Sequence, residues 1–416
     1  MPRPARPLAG ATALIAAAAL LTAPAQADPR APHLRPAETT DEGGIWSISD
    51  KTELGAKTSA ERNRDPVLNA YVGGVLCKLA VEYCDDIRVY VMDRPFFNAS
   101  MAPNGYTEVW SGLLLRAQTE DELAFVLGHE ISHFAENHSL ESWRAMKSRA
   151  AGAMVLQVVV GVAAMGAAVN SGSPQAANDI MRAAGSVNDL IYLSTIAAYF
   201  SYSRDNESEA DALGFRRMVK AGYAPQASVA IWRAQIAETQ ASSFKKIRDG
   251  EARGSIFSTH PLSIDRVAAL DTLAAAAPPA KASDRKAYRA VIRPHLAAWL
   301  KDDLRRRDYG ESLALIERLE SLGEDQGVLG FYRGEAYRQR REGDDLAKAR
   351  QAYAIAGTYA DAPLATWRIL GDLAAQAGDK AAAKTAYETY LVRAPNAQDR
   401  WLIEANLKKL TEGSAA

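Results

Sequence analysis

Two histidines and a glutamate stand at a spacing that suits metal chemistry, in the stretch His129-Glu130-Ile-Ser-His133. The apolar residues around them, from about Glu120 onwards, have helical periodicity. Histidines four apart lie on one face of a helix, so both imidazoles can reach one zinc ion. Glu130 stands beside the first histidine, where it can polarise a zinc-bound water. Because such a pentapeptide also arises by chance, a genuine site needs a third ligand and a strand that binds substrate.

A second acidic stretch, at 203–211, offers the third ligand. Glu207 and Asp211 are four apart and would share a helix face, whereas Glu209 would point nearly away from it. We predict Glu207 as the third zinc ligand. Asp211 is predicted to accept a proton from a ligand histidine and to hold its tautomer. The alternative is a solvated acidic helix face, which is the usual explanation of such a run when no paired histidines precede it.

Periodicity upstream of the histidines predicts a helix followed by three strands. Residues 65–82 have the apolar spacing of a helix, and 87–92 alternate as a strand. Residues 98–110 predict two further strands, joined by a turn at Pro103-Asn104-Gly105. The sequence thus places a small sheet directly before the helix of the histidines.

The two helices that carry the acidic and imidazole groups also have recognisable ends. The first would begin after Thr119 as N-cap, with Glu122 as its capping-box partner. The second belongs to a long helical pattern over about 176–221, which Gly222 stops. A zinc site therefore requires two helices that are distant along the chain to pack together.

The N-terminus has the features of an export signal. Arg3 and Arg6 precede an apolar run at 8–21, and Ala25-Gln26-Ala27 has the form of a signal-peptidase site. We predict a signal peptide over 1–27, removed by cleavage. The alternative is an uncleaved anchor helix, for which the apolar run is short.

An almost wholly apolar run at 150–169 is long enough to span a membrane. It is rich in Ala and Gly and is interrupted by Gln157. We favour a hairpin in the core or at a membrane surface, which would give peripheral membrane contact, over a transmembrane span.

Cys77 and Cys84 are the two cysteines of the chain. In an exported protein they can form a disulfide, whereas in a reducing compartment they would be buried thiols. Seven residues of intact helix would hold their Cα atoms roughly 10 Å apart, too far for a bond. A disulfide therefore requires the helix to end near Tyr83, and the sequence leaves both states open.

The C-terminal part looks repetitive beyond an Ala- and Pro-rich linker at 276–285. Tyr353 and Tyr387 are 34 residues apart, and each follows a Gly-Asp turn. A helix-turn-helix period near 34 is typical of tetratricopeptide-like repeats, which we predict over 286–416. Such repeats stack into a concave surface that holds peptide or protein partners. The alternative is a helical bundle without repeats.

Several motifs in register resemble one known family, the HtpX-like and CAAX-prenyl-protease-like zinc metallopeptidases. The resemblance covers about residues 50–275. Its motifs are Asn98-Ala99, Pro103-x-Gly105, His129-Glu130-x-x-His133, His138, Arg204-x-x-Glu207-x-x-Ala-Asp211 and His260-Pro-x-x-x-x-Arg266. The chain lacks the several clear membrane spans of the integral members, so prenylated substrates are not expected.

The resemblance implies a role for each matching residue. It implies that His129, His133 and Glu207 bind one Zn²⁺ per chain and that Glu130 is the general base. Asp211 would contact a ligand histidine without binding the metal itself. His260 and Arg266 would lie near the zinc and bind substrate or stabilise the oxyanion, and His260 is also our candidate for a latent fourth ligand. The alternative to a functional role for His260-Pro261 is a turn at the start of a helix. His138 is expected to fix a helix end. The strand near Asn98, Ala99 and Ser100 would hydrogen-bond an extended substrate.

These inferences together give a fold class and a domain order. We expect a mostly α fold with a small β-sheet (α+β), in which 28–60 form a linker and short helix. A zincin-like peptidase domain would occupy 61–275, ahead of the helical repeats. The 49 basic and 50 acidic residues nearly cancel, so no nucleic-acid partner is expected.

Three functions are compatible with this order of segments. The leading hypothesis is a periplasmic zinc endopeptidase that hydrolyses misfolded or stalled proteins, outer-membrane proteins among them, with the repeats recruiting substrate or an outer-membrane assembly complex. The second is a chaperone-like interaction protein whose protease site is mostly closed. The third is a membrane-integral protease that spans the bilayer at 150–169.

Overall fold

A computed structural model describes residues 28–145, 202–249 and 264–412 of the chain. The elements of the first two ranges are α1 (Asp41–Thr58), α2 (Pro66–Leu79), β1 (Arg88–Met92), β2 (Ala99–Met101), β3 (Tyr106–Trp110), α3 (Ser111–Arg116), α4 (Glu120–Ala135), α5 (Arg204–Lys220), α6 (Ala227–Gln240) and α7 (Lys245–Arg248). Those of the third range are α8 (Ile264–Ala276), α9 (Arg285–Ile292), α10 (Leu296–Arg305), α11 (Tyr309–Glu320), α12 (Gln326–Arg340), α13 (Asp345–Ala356), α14 (Ala365–Gln376), α15 (Lys380–Arg393) and α16 (Arg400–Glu412). The prediction of a mostly α fold with a small sheet is confirmed.

The sheet has three strands in the order β1-β3-β2. β1 pairs with β3 in parallel, and β2 pairs with β3 antiparallel through the predicted turn. Gly105 has a φ of 81° in this turn, and a Cβ there would lie 2.0 Å from the carbonyl oxygen of Asp86. Only glycine accommodates both that conformation and that close approach. β2 is therefore held at the outer edge of the sheet by a tight hairpin.

The helix α4 lies at the centre of the molecule, because all of its residues from Asp121 to Ala135 are buried. It packs against α2, β2, α5 and α6. Its N-cap is Thr119 as predicted, and the Thr119 side chain accepts a hydrogen bond from the backbone N–H of Glu122. The Glu122 carboxylate accepts from the backbone N–H of Gln118 instead of that of Thr119, so the reciprocal bond of the predicted capping box is displaced by one residue.

The helix α2 ends at Leu79, earlier than the periodicity suggested, and a short 3₁₀ turn (Val81–Tyr83) follows it. This early end brings the Cα atoms of Cys77 and Cys84 to 4.7 Å, and the two cysteines form a disulfide. The sequence left that pairing open and required the helix to end near Tyr83 for a disulfide to form. The helix ends at Leu79, so this condition is met.

The C-terminal helices repeat one packing contact. Gly334 of α12 lies against the ring of Tyr353 in α13, and Gly371 of α14 lies against the ring of Tyr387 in α15. A Cβ on either glycine would come within 2.8 Å of the ring carbons, so these positions let each helix pair approach closely. The tyrosines are the pair that the sequence identified at a period of 34.

One continuous hydrophobic cluster joins these helices to the sheet and to α4. It includes Leu76 of α2, Phe125 of α4, Trp299 of α10 and Tyr353 of α13. A second, smaller cluster surrounds Tyr387 and Ile403 near the C-terminus. The apolar core therefore continues across the segment at 277–284 between α8 and α9.

Several sequence predictions concern residues outside the described ranges. They are the signal peptide at 1–27, the apolar run at 150–169, the part of the predicted helical pattern at 176–221 that precedes Tyr202, and His260. Among the helices that are described, none combines the length and the hydropathy needed to cross a bilayer.

Candidate metal centre

The site forms where α4 crosses α5. Gly128 and Gly214 face each other at this crossing, and a Cβ on Gly214 would lie 2.7 Å from the backbone nitrogen of His129. A Cβ on Gly128 would lie 3.0 Å from the carbonyl oxygen of Gly214. Two glycines in contact let the helix axes come unusually close. The histidines beside and beyond Gly128 and the acidic residues before Gly214 are thereby brought within reach of each other.

Three donor atoms meet at this crossing. The Nε2 atoms of His129 and His133 are 3.0 Å apart, and each lies 3.6 Å from a carboxylate oxygen of Glu207. All three side chains are buried. Within 28–145, 202–249 and 264–412, this is the one group of three or more His, Cys, Asp or Glu residues able to hold a metal ion.

The spacing of these atoms fits zinc. Zn–N bonds of about 2.0–2.1 Å in a tetrahedral site place neighbouring ligand atoms roughly 3.3 Å apart. The observed distances of 3.0 and 3.6 Å bracket that value. Two imidazoles and one carboxylate also match the donor set of catalytic zinc sites, which keep a fourth position open.

Asp211 supports the first histidine. Its Oδ1 is 3.0 Å from Nδ1 of His129, and it accepts two hydrogen bonds from Arg266, of 2.6 Å from Nε and 2.8 Å from Nη2. Burial alone would raise the pKa of Asp211, but the hydrogen bonds from Arg266 and His129 outweigh it and lower that pKa to about 2. An ionised Asp211 keeps the His129 proton on Nδ1 and leaves Nε2 free to bind metal.

Arg266 contacts both acidic residues of the site. Its Nη1 lies 2.8 Å from Oε2 of Glu207, while Nε and Nη2 bond Asp211. Its guanidinium also lies over the ring of Trp232, 5.4 Å from the ring centroid. Arg266 thus lies beside Glu207 and Asp211, with each of its three guanidinium nitrogens directed at a carboxylate.

The second histidine is supported by His138, which the sequence assigned to a helix end, and through it by Glu209. Nδ1 of His133 is 2.9 Å from Nδ1 of His138, and Nε2 of His138 is 3.5 Å from a carboxylate oxygen of Glu209. If Nε2 of His133 binds metal, its proton is on Nδ1, which then donates to His138. The remaining proton of His138 faces Glu209, the residue expected to point away from the site.

Tyr202 lies flat against the second histidine. Its ring stacks on that of His133 with centroids 3.8 Å apart and planes 14° apart, and its hydroxyl is 3.0 Å from Oγ of Ser139. Tyr202 directly precedes the N-cap of α5, Ser203. No spacing rule identifies such an aromatic neighbour, so Tyr202 could not be found from the sequence pattern.

Glu130 and the outer strand complete the site residues that the structure describes. Glu130 is buried in α4 beside His129. The carbonyl of Asn98 and the N–H of Ala102 both bond β3, so by antiparallel alternation the backbone groups of Ala99 and Met101 point away from β3. Of the predicted substrate strand Asn98, Ala99 and Ser100, the middle residue is the one that offers its backbone outwards.

This arrangement defines a class of protein, the metallopeptidases that take two histidines from one helix and a glutamate from another. The sequence model of peptidase family M48 matches residues 63–274, just over half of the chain. The chain therefore belongs to that family. The family membership confirms the prediction of a metallopeptidase and agrees with the resemblance drawn from the motifs.

Individual relatives match the same part of the chain. Metalloprotease YcaL of Escherichia coli is 33% identical over 54% of this chain and 74% of its own length. The beta-barrel assembly-enhancing protease of E. coli is 26% identical over 55% of this chain and 45% of its own length. Mitochondrial metalloendopeptidase OMA1 of Arabidopsis thaliana is 28% identical over 42% of this chain and 28% of its own length. This chain thus covers less than half of the last two relatives. The order of signal, peptidase segment and helical repeats had predicted similarity to the beta-barrel assembly-enhancing protease.

Proposed function

We propose that this chain is a zinc-dependent endopeptidase of the periplasm that cleaves misfolded or stalled proteins. The observation that carries the proposal is the buried donor set of His129, His133 and Glu207, held within 4.8 Å by two helices. In this proposal these three residues bind one zinc ion per chain. Asp211 and His138 orient the two imidazoles through their far nitrogens.

The residues around the three metal-binding side chains have different roles in the proposed reaction. Bound zinc supplies Lewis acidity, which lowers the pKa of water and polarises a peptide carbonyl. Glu130 accepts the proton of the attacking water and returns it to the leaving amine. Arg266 holds Glu207 and Asp211 in place, a role that its three ion-pair contacts support over direct stabilisation of the oxyanion. His260 remains our candidate for the oxyanion partner.

Substrate binding is proposed at the outer strand. An extended peptide adds to the edge of β2 by bonding the backbone groups of Ala99 and Met101. Backbone pairing of this kind accepts many sequences, which suits a protease of unfolded chains. The relative named beta-barrel assembly-enhancing protease supports outer-membrane proteins as substrates and an assembly complex as partner. The repeated Gly–Tyr contacts of α12–α15 support tetratricopeptide-like repeats as the partner-binding part.

The test replaces the proposed base. Glu130→Gln should reduce cleavage of casein or a misfolded outer-membrane protein by about a hundred- to ten-thousandfold, because it removes proton transfer while keeping the shape of the side chain. Zinc content, measured by mass spectrometry of the purified protein, should stay at one per chain. Glu136→Gln, one residue beyond the end of α4, is the matched control and should cleave normally. His129→Ala should lose both zinc and activity.

A second candidate is a chaperone-like protein whose protease site is mostly closed. It is favoured by one observation, the exposure of only 1% for His129 and for His133 and 4% for Glu130. The same variants decide between the two. Cleavage lost in Glu130→Gln with client binding retained supports the protease. If Glu130→Gln protects cells from outer-membrane stress as well as the natural chain, the binding function is the main one.

A further inference from the structure

A cavity of about 410 Å³ opens beside the outer strand, on the side of the sheet opposite α4. Its lining comes from α1, from β2 and the residue after it, and from β3, and includes Gly55, Ala56, Ser100, Ala102, Tyr106 and Glu108. This volume lies within the range of about 300–1,000 Å³ that small-molecule pockets occupy. It is therefore roomy enough for the largest protein side chains.

The alternation of β2 separates two faces of the sheet. Ala99 and Met101 belong to the core cluster that surrounds α4. Ala102 and Tyr106 belong to the cluster that contains Ala56 of α1, and Ser100 lines the cavity on this same face. A peptide added to β2 on the side away from β3 follows the same alternation, because directly opposed residues of paired strands share a face. The substrate residue opposite Ser100 therefore directs its side chain into the cavity.

The polar groups of the cavity already have partners. The Glu108 carboxylate accepts hydrogen bonds from the hydroxyl of Tyr106, from Nε1 of Trp110 and from Nη1 of Arg94. Arg94 also donates a hydrogen bond to Glu61, so its guanidinium group is paired with two carboxylates. A charged substrate side chain would lose water here without meeting an unpaired partner of opposite charge.

Apart from the hydroxyl groups of Thr52, Ser59 and Ser100, the rest of the wall is carbon. Gly55 and Ala56 leave space above the helix, and Ala102 and the ring of Tyr106 form the floor. Such a surface favours an apolar side chain large enough to cover it, since the gain scales with the apolar area removed from water. An alanine side chain would leave most of the cavity unfilled.

We propose that this cavity is a specificity pocket for an aromatic or long aliphatic side chain of the substrate segment that pairs with β2. The inference rests on the proposed function, because it needs an extended peptide as substrate. It adds a sequence preference to a binding mode that otherwise depends on backbone. The preference should concern one substrate position, and the two adjacent positions, which face α4, should not share it.

The test fills the cavity from α1. Gly55 has no atom within 4 Å of where its Cβ would be, so the added Cβ of Gly55→Leu meets no neighbour, and the substitution also favours the helix. Gly44→Leu is the matched control, because Gly44 is equally open in the same helix and does not line the cavity. Thermal unfolding should show both variants folded like the natural chain.

The readout is the profile of cleavage sites in a library of unfolded peptides, determined by mass spectrometry. The natural chain and Gly44→Leu should prefer Phe, Tyr, Leu or Met over Ala and Asp at one position, by about tenfold or more in kcat/KM. Gly55→Leu should lose that preference while still cleaving peptides with Ala there. An unchanged profile in Gly55→Leu overturns the pocket and leaves the protease intact. Failure of the natural zinc-loaded chain to cleave any peptide overturns the proposed function, and the pocket with it.

Discussion

His138 shows how a single side chain outside the donor set can control the site. Its contact with Nδ1 of His133 gives that histidine the same kind of support that Asp211 gives His129. Metal ligands in proteins are commonly oriented in this way, and loss of the supporting group weakens metal binding by about 10- to 100-fold.

We therefore expect His138→Ala to lower zinc affinity by about 10- to 100-fold, measured by competition with a zinc chelator. His138→Asn should restore part of the affinity, because an amide can still accept a hydrogen bond from His133. His33→Ala is the control, since that histidine is 63% exposed and lies far from the donors in sequence. Equal zinc affinity in His138→Ala and the natural chain would contradict the role.

Single residues also show where sequence reasoning succeeds and where it ends. The spacing of His129 and His133 reflects helix geometry, so the sequence alone places both imidazoles on one helix face, whereas Glu207 was assigned from its acidic stretch and from the family motif. Tyr202 and Trp232 touch the same histidines through aromatic contacts between distant segments. Their positions follow from tertiary packing and from no local period, so no pattern in the sequence identified them.

At the scale of elements, the crossing of α4 and α5 depends on Gly128 and Gly214. The sequence predicted both helices but gave no reason for them to touch at these two positions. Their contact sets the distance between the helix axes, and so the distance between the imidazoles and Glu207.

Gly214→Ala should therefore separate the two helices. Its new Cβ would meet backbone atoms of Gly128 and His129, which cannot rotate away. We expect the metal-free protein to lose about 1–3 kcal/mol of unfolding free energy in urea titrations, and zinc affinity to fall. Gly74→Ala is the control, because nothing lies within 4 Å of its added Cβ, and it should be neutral or up to about 1 kcal/mol more stable. A Gly214→Ala protein with natural stability and zinc affinity would show that the crossing tolerates a wider spacing.

The smaller differences at element ends have local causes. Thr119 was identified as an N-cap because side-chain capping follows directly from residue type. The end of α2 at Leu79 was missed because apolar spacing continues beyond it into the 3₁₀ turn. The periodicity of apolar residues indicates which residues are buried. It does not indicate where the backbone leaves the α conformation.

At the scale of the whole molecule, a network of buried ion pairs connects the C-terminal helices to the peptidase part. Arg116 of α3 bonds Glu238 of α6 at 2.7 Å and Asp303 of α10 at 2.8 Å. All three side chains are at most 3% exposed. The sequence suggested a linker at 276–285 from composition alone, and composition carries no information on contacts between distant segments.

Arg116→Met should destabilise the entire chain. Removing the guanidinium takes one cationic partner from each of two buried carboxylates, while Glu238 keeps Arg318 and Asp303 keeps Arg306. The loss of unfolding free energy should therefore stay below the roughly 3–5 kcal/mol that a buried charge left wholly unpaired costs. Hydrogen exchange should show α4 and α12 losing protection together, because they share one hydrophobic cluster. Arg305→Met removes an exposed arginine that pairs with Asp302, and it should change stability by less than about 0.5 kcal/mol. Independent unfolding of the two parts would refute this coupling.

The bond between Cys77 and Cys84 has a practical consequence for anyone who prepares this protein. A cytosolic expression host keeps such thiols reduced, so material made there would carry two free sulfhydryls next to the start of the sheet. Secretion into an oxidising compartment, or a glutathione redox buffer during refolding, should yield the natural covalent form. Batches made by the two routes should differ by two mass units, and alkylation before digestion will tell them apart.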